Sequence, residues 1–247
     1  MALVIKSNNY PIFYSELVPL NSNTHADWRV RLTDKAVWLA GQHLVPLTTD
    51  EFVKAQRFFP IVFSAGEQVV PLALMGLHEG CNLFVGEDGR FDPGIYLPAY
   101  VRRYPFLLAR LDPASEDLSL CFDPTSDLVG AFDEGDALFA GEGIAERCKS
   151  ILNFCEGFEV AGRQTAAFID LLEKHDLLAD GEITIQREGQ QPAIYRGFKM
   201  VTEDKLRALA PEVLAELSVS GALALIHLHQ ASLGIVTELF VRQSQAV

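Results

Sequence analysis

Three features of this chain predict an α+β fold. Antiparallel or mixed sheets with hairpins occupy the N-terminal part, helices and a further hairpin occupy the C-terminal part, and the whole is packed as one unit. Short apolar runs broken by Pro and Gly fill the first half, helical apolar spacing dominates from about Gly143, and Glu182 to Phe198 alternates on either side of a polar turn. No low-complexity linker separates the halves. Residues 1–247 therefore read as a single domain, with tightly packed lobes 1–140 and 141–247 as the alternative.

Taken in order, the first half is punctuated by Leu17-Val18-Pro19-Leu20, Leu44-Val45-Pro46-Leu47 and Val69-Val70-Pro71-Leu72. Proline has no amide donor, which confines such strands to sheet edges or strand ends at those points. Asn21 to Arg29 is a polar loop, and Val37 to Ala40 is expected as a strand. Thr48 or Thr49 caps a helix to about Phe59, since Thr48 and Glu51 have capping-box spacing and Phe52, Ala55, Gln56 and Phe59 share one side. Pro60 stops it. Ile61 to Phe63, a turn at Gly66 and Gln68 to Met75 form a strand pair. A second hairpin follows: strand Asn82 to Val85, turn Glu87 to Arg90, and a return through Ile95 to Val101 that ends at Arg102 and Arg103. Leu118 to Phe122 is a further strand, and Asp123 to Gly143 an acidic loop.

The second half opens with two helices, Ile144 to Phe154 and Arg163 to Leu178. Glu182 to Arg187 and Ala193 to Phe198 make a hairpin across Glu188-Gly189-Gln190-Gln191. Thr202 starts a helix whose positive end is favoured by Glu203 and Asp204, and Pro211 interrupts it or opens a second piece to about Leu217. Ala222 to Leu228 is strand-like by period, and a helical segment to about Arg242 closes the chain.

Composition narrows the function classes. Twenty basic against 33 acidic side chains give a net charge of -13, which argues against nucleic-acid binding and against anionic lipid. Cys81, Cys121, Cys148 and Cys155 show no CxxC or zinc spacing and read as reduced core thiols. Met1 to Lys6 is too short for a signal peptide, so a cytoplasmic location is expected. The longest apolar stretch, Ala222 to Ile235, is shorter than a membrane span and carries His227, His229 and Gln230, so no membrane insertion is expected. No GxSxG, Walker A or GxGxxG loop is present, which leans against an enzyme, and no cofactor can be named.

Several segments, taken in order, carry a family likeness. They are His25 and Trp28; Phe59-Pro60-Ile61-Val62-Phe63; Pro71-Leu72-Ala73-Leu74 with Gly76; Asn82 to Val85; Gly89; Tyr104-Pro105-Phe106 after the arginine pair; and Leu223 to Leu233. In this order they resemble the SapC family of bacterial proteins. The resemblance implies a role in surface-layer export or assembly, with peptide transport as another label. It also implies a connection with TonB-dependent outer-membrane receptors and flavin-dependent halogenase-like proteins.

Candidate binding residues fall in two places. If Tyr96 to Tyr104 is extended, Tyr96, Tyr100, Arg102 and Tyr104 share a face and Arg103 points away. Rings flanking a guanidinium can hold a planar or anionic ligand, unless the arginines simply pair with Asp88, Asp92 or Asp112. His25, Asp27 and Trp28 form the second place, as a proton-transfer or ligand group or as a histidine that caps backbone. His227 and His229 are weak metal candidates that require a strand, because on a helix they diverge by about 200°. Two functions stay open: an accessory protein that recognises a peptide or protein partner, and an enzyme or cofactor-binding protein using the Arg102, Tyr104, His25 and Asp27 region. Self-assembly into a homo-oligomer through strand edges fits either.

Overall fold

Alternation in Phe106-Leu107-Leu108-Ala109 builds the centre of one compact unit. In the computed structural model, which describes residues 3–4, 10–112, 114–141, 143–185 and 192–245, strand β7 (Phe106–Arg110) is buried on both faces. Phe106 and Leu108 join Val30, Phe122, Val129, Leu138, Cys148 and Cys155; Leu107 and Ala109 join Tyr14, Leu17 and Cys121. Period-two side chains thus feed two apolar clusters from one strand.

Two compact units divide the chain, and each is assembled from two separate stretches: residues 1–36 with 100–160, and residues 37–99 with 161–247. In the first, β7 lies between β1 (Leu3–Val4), which it meets in parallel, and β8 (Ser119–Phe122), which is antiparallel to both β7 and β2 (Val18–Pro19). Short strands β3 (Arg29–Val30), β9 (Val129–Gly130) and β10 (Asp136–Ala137) form a second sheet, and β11 (Phe139–Ala140) pairs with β12 (Gly143–Ile144). The acidic segment after Asp123 is therefore loop stitched by two-residue strands.

The second unit is organised on an antiparallel sheet in the order β13-β14-β5-β6-β4, with β4 (Leu44–Pro46), β5 (Ile61–Ser64), β6 (Pro71–Leu74), β13 (Leu178–Ile185) and β14 (Ala193–Val201). The strand pair around Gly66 and the late hairpin form as expected, although the hairpin turn lies outside the described residues. Pro46 ends an edge strand, as a residue without an amide donor should. Thr48 opens a 3-10 turn (Thr49–Glu51) and a short helix α1 (Phe52–Ala55), shorter than the spacing predicts.

Four further expectations are corrected. Val37–Leu39 is a 3-10 turn. Asn82 to Val85 is no strand beyond one bridge between Val85 and Phe91, because the Asn82 side chain redirects the backbone: its Oδ1 accepts the Phe84 N–H (2.9 Å) and its Nδ2 donates to the Gln42 carbonyl (2.8 Å). The two helices expected between Ile144 and Leu178 are one, α3 (Glu146–Lys174), since the glycines between them weaken a helix without breaking it as proline would. Ala222 to Leu228 belongs to helix α6 (Ala222–Ser232), not to the strand its period suggests; so short a run fits either element, and Ala and Leu favour helix.

Helices α4 (Glu203–Arg207), capped by Thr202, and α5 (Pro211–Val219), opened by its proline, follow the sequence reading. The last helix is α7 (Val236–Gln245). Because α6 continues into α7 through a 3-10 turn, Ala222–Gln245 is 24 residues long, and by length and composition it is apolar enough to cross a membrane. The sequence reading, which stopped at Ile235, placed it below that length.

Candidate functional site

Helix α2 (Ala99–Arg102) replaces the expected return strand, which removes the alternation that put Arg102 among the tyrosines. Pro98 precedes it, and the Ala99 N–H donates to the buried Glu51 carboxylate (2.7 Å). Tyr96 is engaged by the same carboxylate: its hydroxyl donates to Glu51 Oε1 at 2.9 Å, while Oε2 accepts the Thr48 N–H at 2.9 Å. That clamp lies in the second unit, whereas Tyr100, Arg102, Arg103 and Tyr104 belong to the first.

Helical geometry exchanges the roles of the two arginines. Arg102 is exposed, its guanidinium 5.0 Å from the Phe154 ring centre. Arg103 turns inward and is 9% exposed. Its guanidinium carbon lies 4.2 Å from the Tyr100 ring centre, 4.4 Å from Phe158 and 5.9 Å from Tyr14. Aromatic contacts continue outward: Tyr104 meets Tyr14 edge-on at 5.2 Å, and Phe13 lies 5.6 Å from Tyr100 and 6.1 Å from Tyr104. Phe13 takes a left-handed backbone, φ 80°, a conformation costing a bulky residue of order 1–3 kcal/mol.

The phenols around Arg103 serve the backbone. Tyr14 donates to the Phe106 carbonyl (2.7 Å) and Tyr100 to the Ile12 carbonyl (3.4 Å). Burial raises both above the usual tyrosine range, against a smaller opposing pull from Arg103. Tyr104 is raised by burial and by the charge of Asp123. Burial pushes the Cys155 thiol up to about 12 and the Cys121 thiol up to about 11. At neutral pH the cluster is a cation held by neutral aromatic groups, suited to binding and without an activated nucleophile.

His25 is buried and does what a capping histidine does: its Nδ1 accepts the Asn21 N–H at 3.0 Å, and its ring packs on Trp28 (4.5 Å) and Phe122 (5.2 Å). Burial holds its pKa below the usual value. Asp27 is exposed. The shared face proposed for His227 and His229 is overturned by the helix. His227 faces Gln230 at the surface, while His229 is fully buried between the backbones of Ile61 and Val201. No cluster of three metal-ligating side chains occurs among the described residues.

Sequence reasoning missed Tyr14, Phe13 and Phe158, which come to Arg103 from distant parts of the chain. Each looks locally like an ordinary core aromatic, so no motif marks it.

Fold and site together define an α+β protein with an aromatic-enclosed arginine and no recognisable catalytic constellation among its described residues. The SapC family model matches residues 20–239, nearly the whole chain, and the protein belongs to the SapC family. No curated protein and no solved structure matches it.

Proposed function

We propose that this protein is an accessory protein that recognises an extended segment of a protein partner by strand addition. The observation that carries the reading is the edge of β14. It pairs with β5 only at Phe198 and Lys199, so between Ala193 and Gly197 that edge has no neighbouring strand among the described residues. Unpaired N–H and C=O groups on a strand edge are a template for another chain, with alternate side chains supplying specificity. Ile194, 52% exposed, is an apolar side chain available to such a partner.

Family membership points the same reading toward surface-layer or outer-membrane components. The four free cysteines favour a reducing compartment. A photo-crosslinking residue at Ile194, tested in native host cells, should give one discrete adduct, and Tyr195→Pro, which removes a backbone donor and disrupts the strand beside it, should abolish it. The control position is Val219, which is more exposed than Ile194 but lies on α5. Equal adducts at Val219, or an Ile194 adduct that survives the proline, would sink the reading.

A further inference from the structure

We propose that this protein forms a two-fold homodimer in which α3 packs antiparallel against α3 of a second copy. Six uncharged residues, Ser150, Asn153, Gly157, Val160, Gln164 and Ala167, recur along this helix at alternating steps of three and four, and all are exposed. That spacing holds them in one stripe about 25 Å long, the pattern by which one helix meets another. Val160, 46% exposed, is its branched apolar member.

Charge decides what covers the stripe. Beside it runs an exposed row, Lys149, Glu156, Arg163 and Asp170, spaced seven residues apart and alternating in sign. Read backwards, the row has the opposite sign at every place. Against an antiparallel copy, Lys149 therefore faces the partner's Asp170 and Glu156 faces the partner's Arg163, each contact made twice by symmetry. Within the chain these charges are hardly used: Glu156, Arg163 and Asp170 make no ion pair among the described residues, and Lys149 reaches Glu146 at 3.5 Å in an exposed pair of little worth.

The same register matches the stripe to itself. Ser150 meets the partner's Ala167, Asn153 the partner's Gln164 and Gly157 the partner's Val160, so two amides can hydrogen-bond and a valine fills the space a glycine leaves. Gly157 costs a helix interior about 1 kcal/mol relative to alanine. Packing within the chain does not require it, since a Cβ there would meet nothing within 4 Å. Close approach of a second helix does. A second copy suits this face better than a foreign helix, because complementarity to its own reverse is a property that only self-pairing uses. Parallel pairing would set the charged row against Phe154, Ala161 and Phe168, of which Phe154 is half-buried and the others are buried. This face is separate from the edge of β14, and the homodimer does not rest on strand addition there.

The test is sedimentation equilibrium of the full chain over a dilution series. The wild-type protein should dimerise as concentration rises. Glu156→Arg and Arg163→Glu, each of which sets like charges together twice, should each weaken association by about tenfold or more with native circular dichroism retained. An equimolar mixture of the two variants should dimerise again, since each offers the charge the other lacks. A wild-type protein that is monomeric at every concentration overturns the proposal. So does a dimer that neither substitution weakens, which places the contact elsewhere, or a mixture of the two weakened variants that fails to associate.

Discussion

His229 does two jobs that only a neutral imidazole can do together. Its Nδ1–H donates to the Ile61 carbonyl (2.7 Å), and its Nε2 accepts the Val201 N–H (3.1 Å), so α6 grips β5 and β14 through one ring. Ser232 completes the grip by accepting the Ile61 N–H at 2.8 Å. Burial pushes the His229 pKa down to about 4, against about 6.5 in an unfolded chain. Between those values the unfolded state binds more protons. The stability present above pH ~6.5 is therefore lost as pH falls toward about 4, by up to about 1.4 kcal/mol per pH unit. Urea midpoints measured from about pH 7.5 to about 4.5 should show that slope, and it should be shallower in His229→Asn. It should not vanish, because burial also depresses His25 and His43. An unchanged slope would rule out the neutral-ring account. In sequence, His229 was visible only as half of an HxH; its partners are backbone groups of strands far along the chain, and backbone groups leave no signature.

At the scale of elements, the β13–β14 hairpin bends where Gly181 faces Gly197 and Phe198. The register passes from Asp180 opposite Lys199 to Glu182 opposite Arg196, so one residue of β13 meets two of β14, and Gly197 has φ 95°. This bulge accompanies the departure of β14 from β5 and leaves the proposed docking edge uncovered. Gly181 has to lack a side chain, since a Cβ there would lie 2.2 Å from the Phe198 ring. Gly181→Ala should therefore destabilise the protein by about 1–3 kcal/mol. Adding Phe198→Ala should recover part of that loss, giving a coupling energy of about 0.5 kcal/mol or more in a double-mutant cycle. Purely additive effects would place the cause in the backbone instead of the ring. Alternation and turn residues made the hairpin legible; its bend depends on a ring meeting a glycine across the strands, which neither strand reveals alone.

For the molecule as a whole, thiol accessibility tests the packing of both units at once. Cys121, Cys148 and Cys155 are buried in the first unit and raised in pKa by burial, while Cys81, in the second, is partly exposed. An aromatic disulfide reagent near neutral pH should react quickly with one thiol per chain, lost in Cys81→Ser, and reach the others at the rate of unfolding. Fast reaction of several thiols would show that the first unit opens readily. The cysteines also show how far composition carries: their spacing excluded zinc and their type suggested core positions, but which three are enclosed depends on how β7, β8 and α3 converge.

The sequence by itself determined the α+β class, the family, the strand pair about Gly66, the late hairpin, and the starts at Thr48, Thr202 and Pro211. These are local: a period of two, a cap or a missing amide donor acts within a few residues. Tertiary structure decided which arginine is enclosed, that Tyr96 serves Glu51, that α6 is a helix anchored by His229, and that each unit draws on two stretches of chain. Those outcomes depend on contacts between residues far apart in sequence, where burial and unmet hydrogen bonds outweigh local preference.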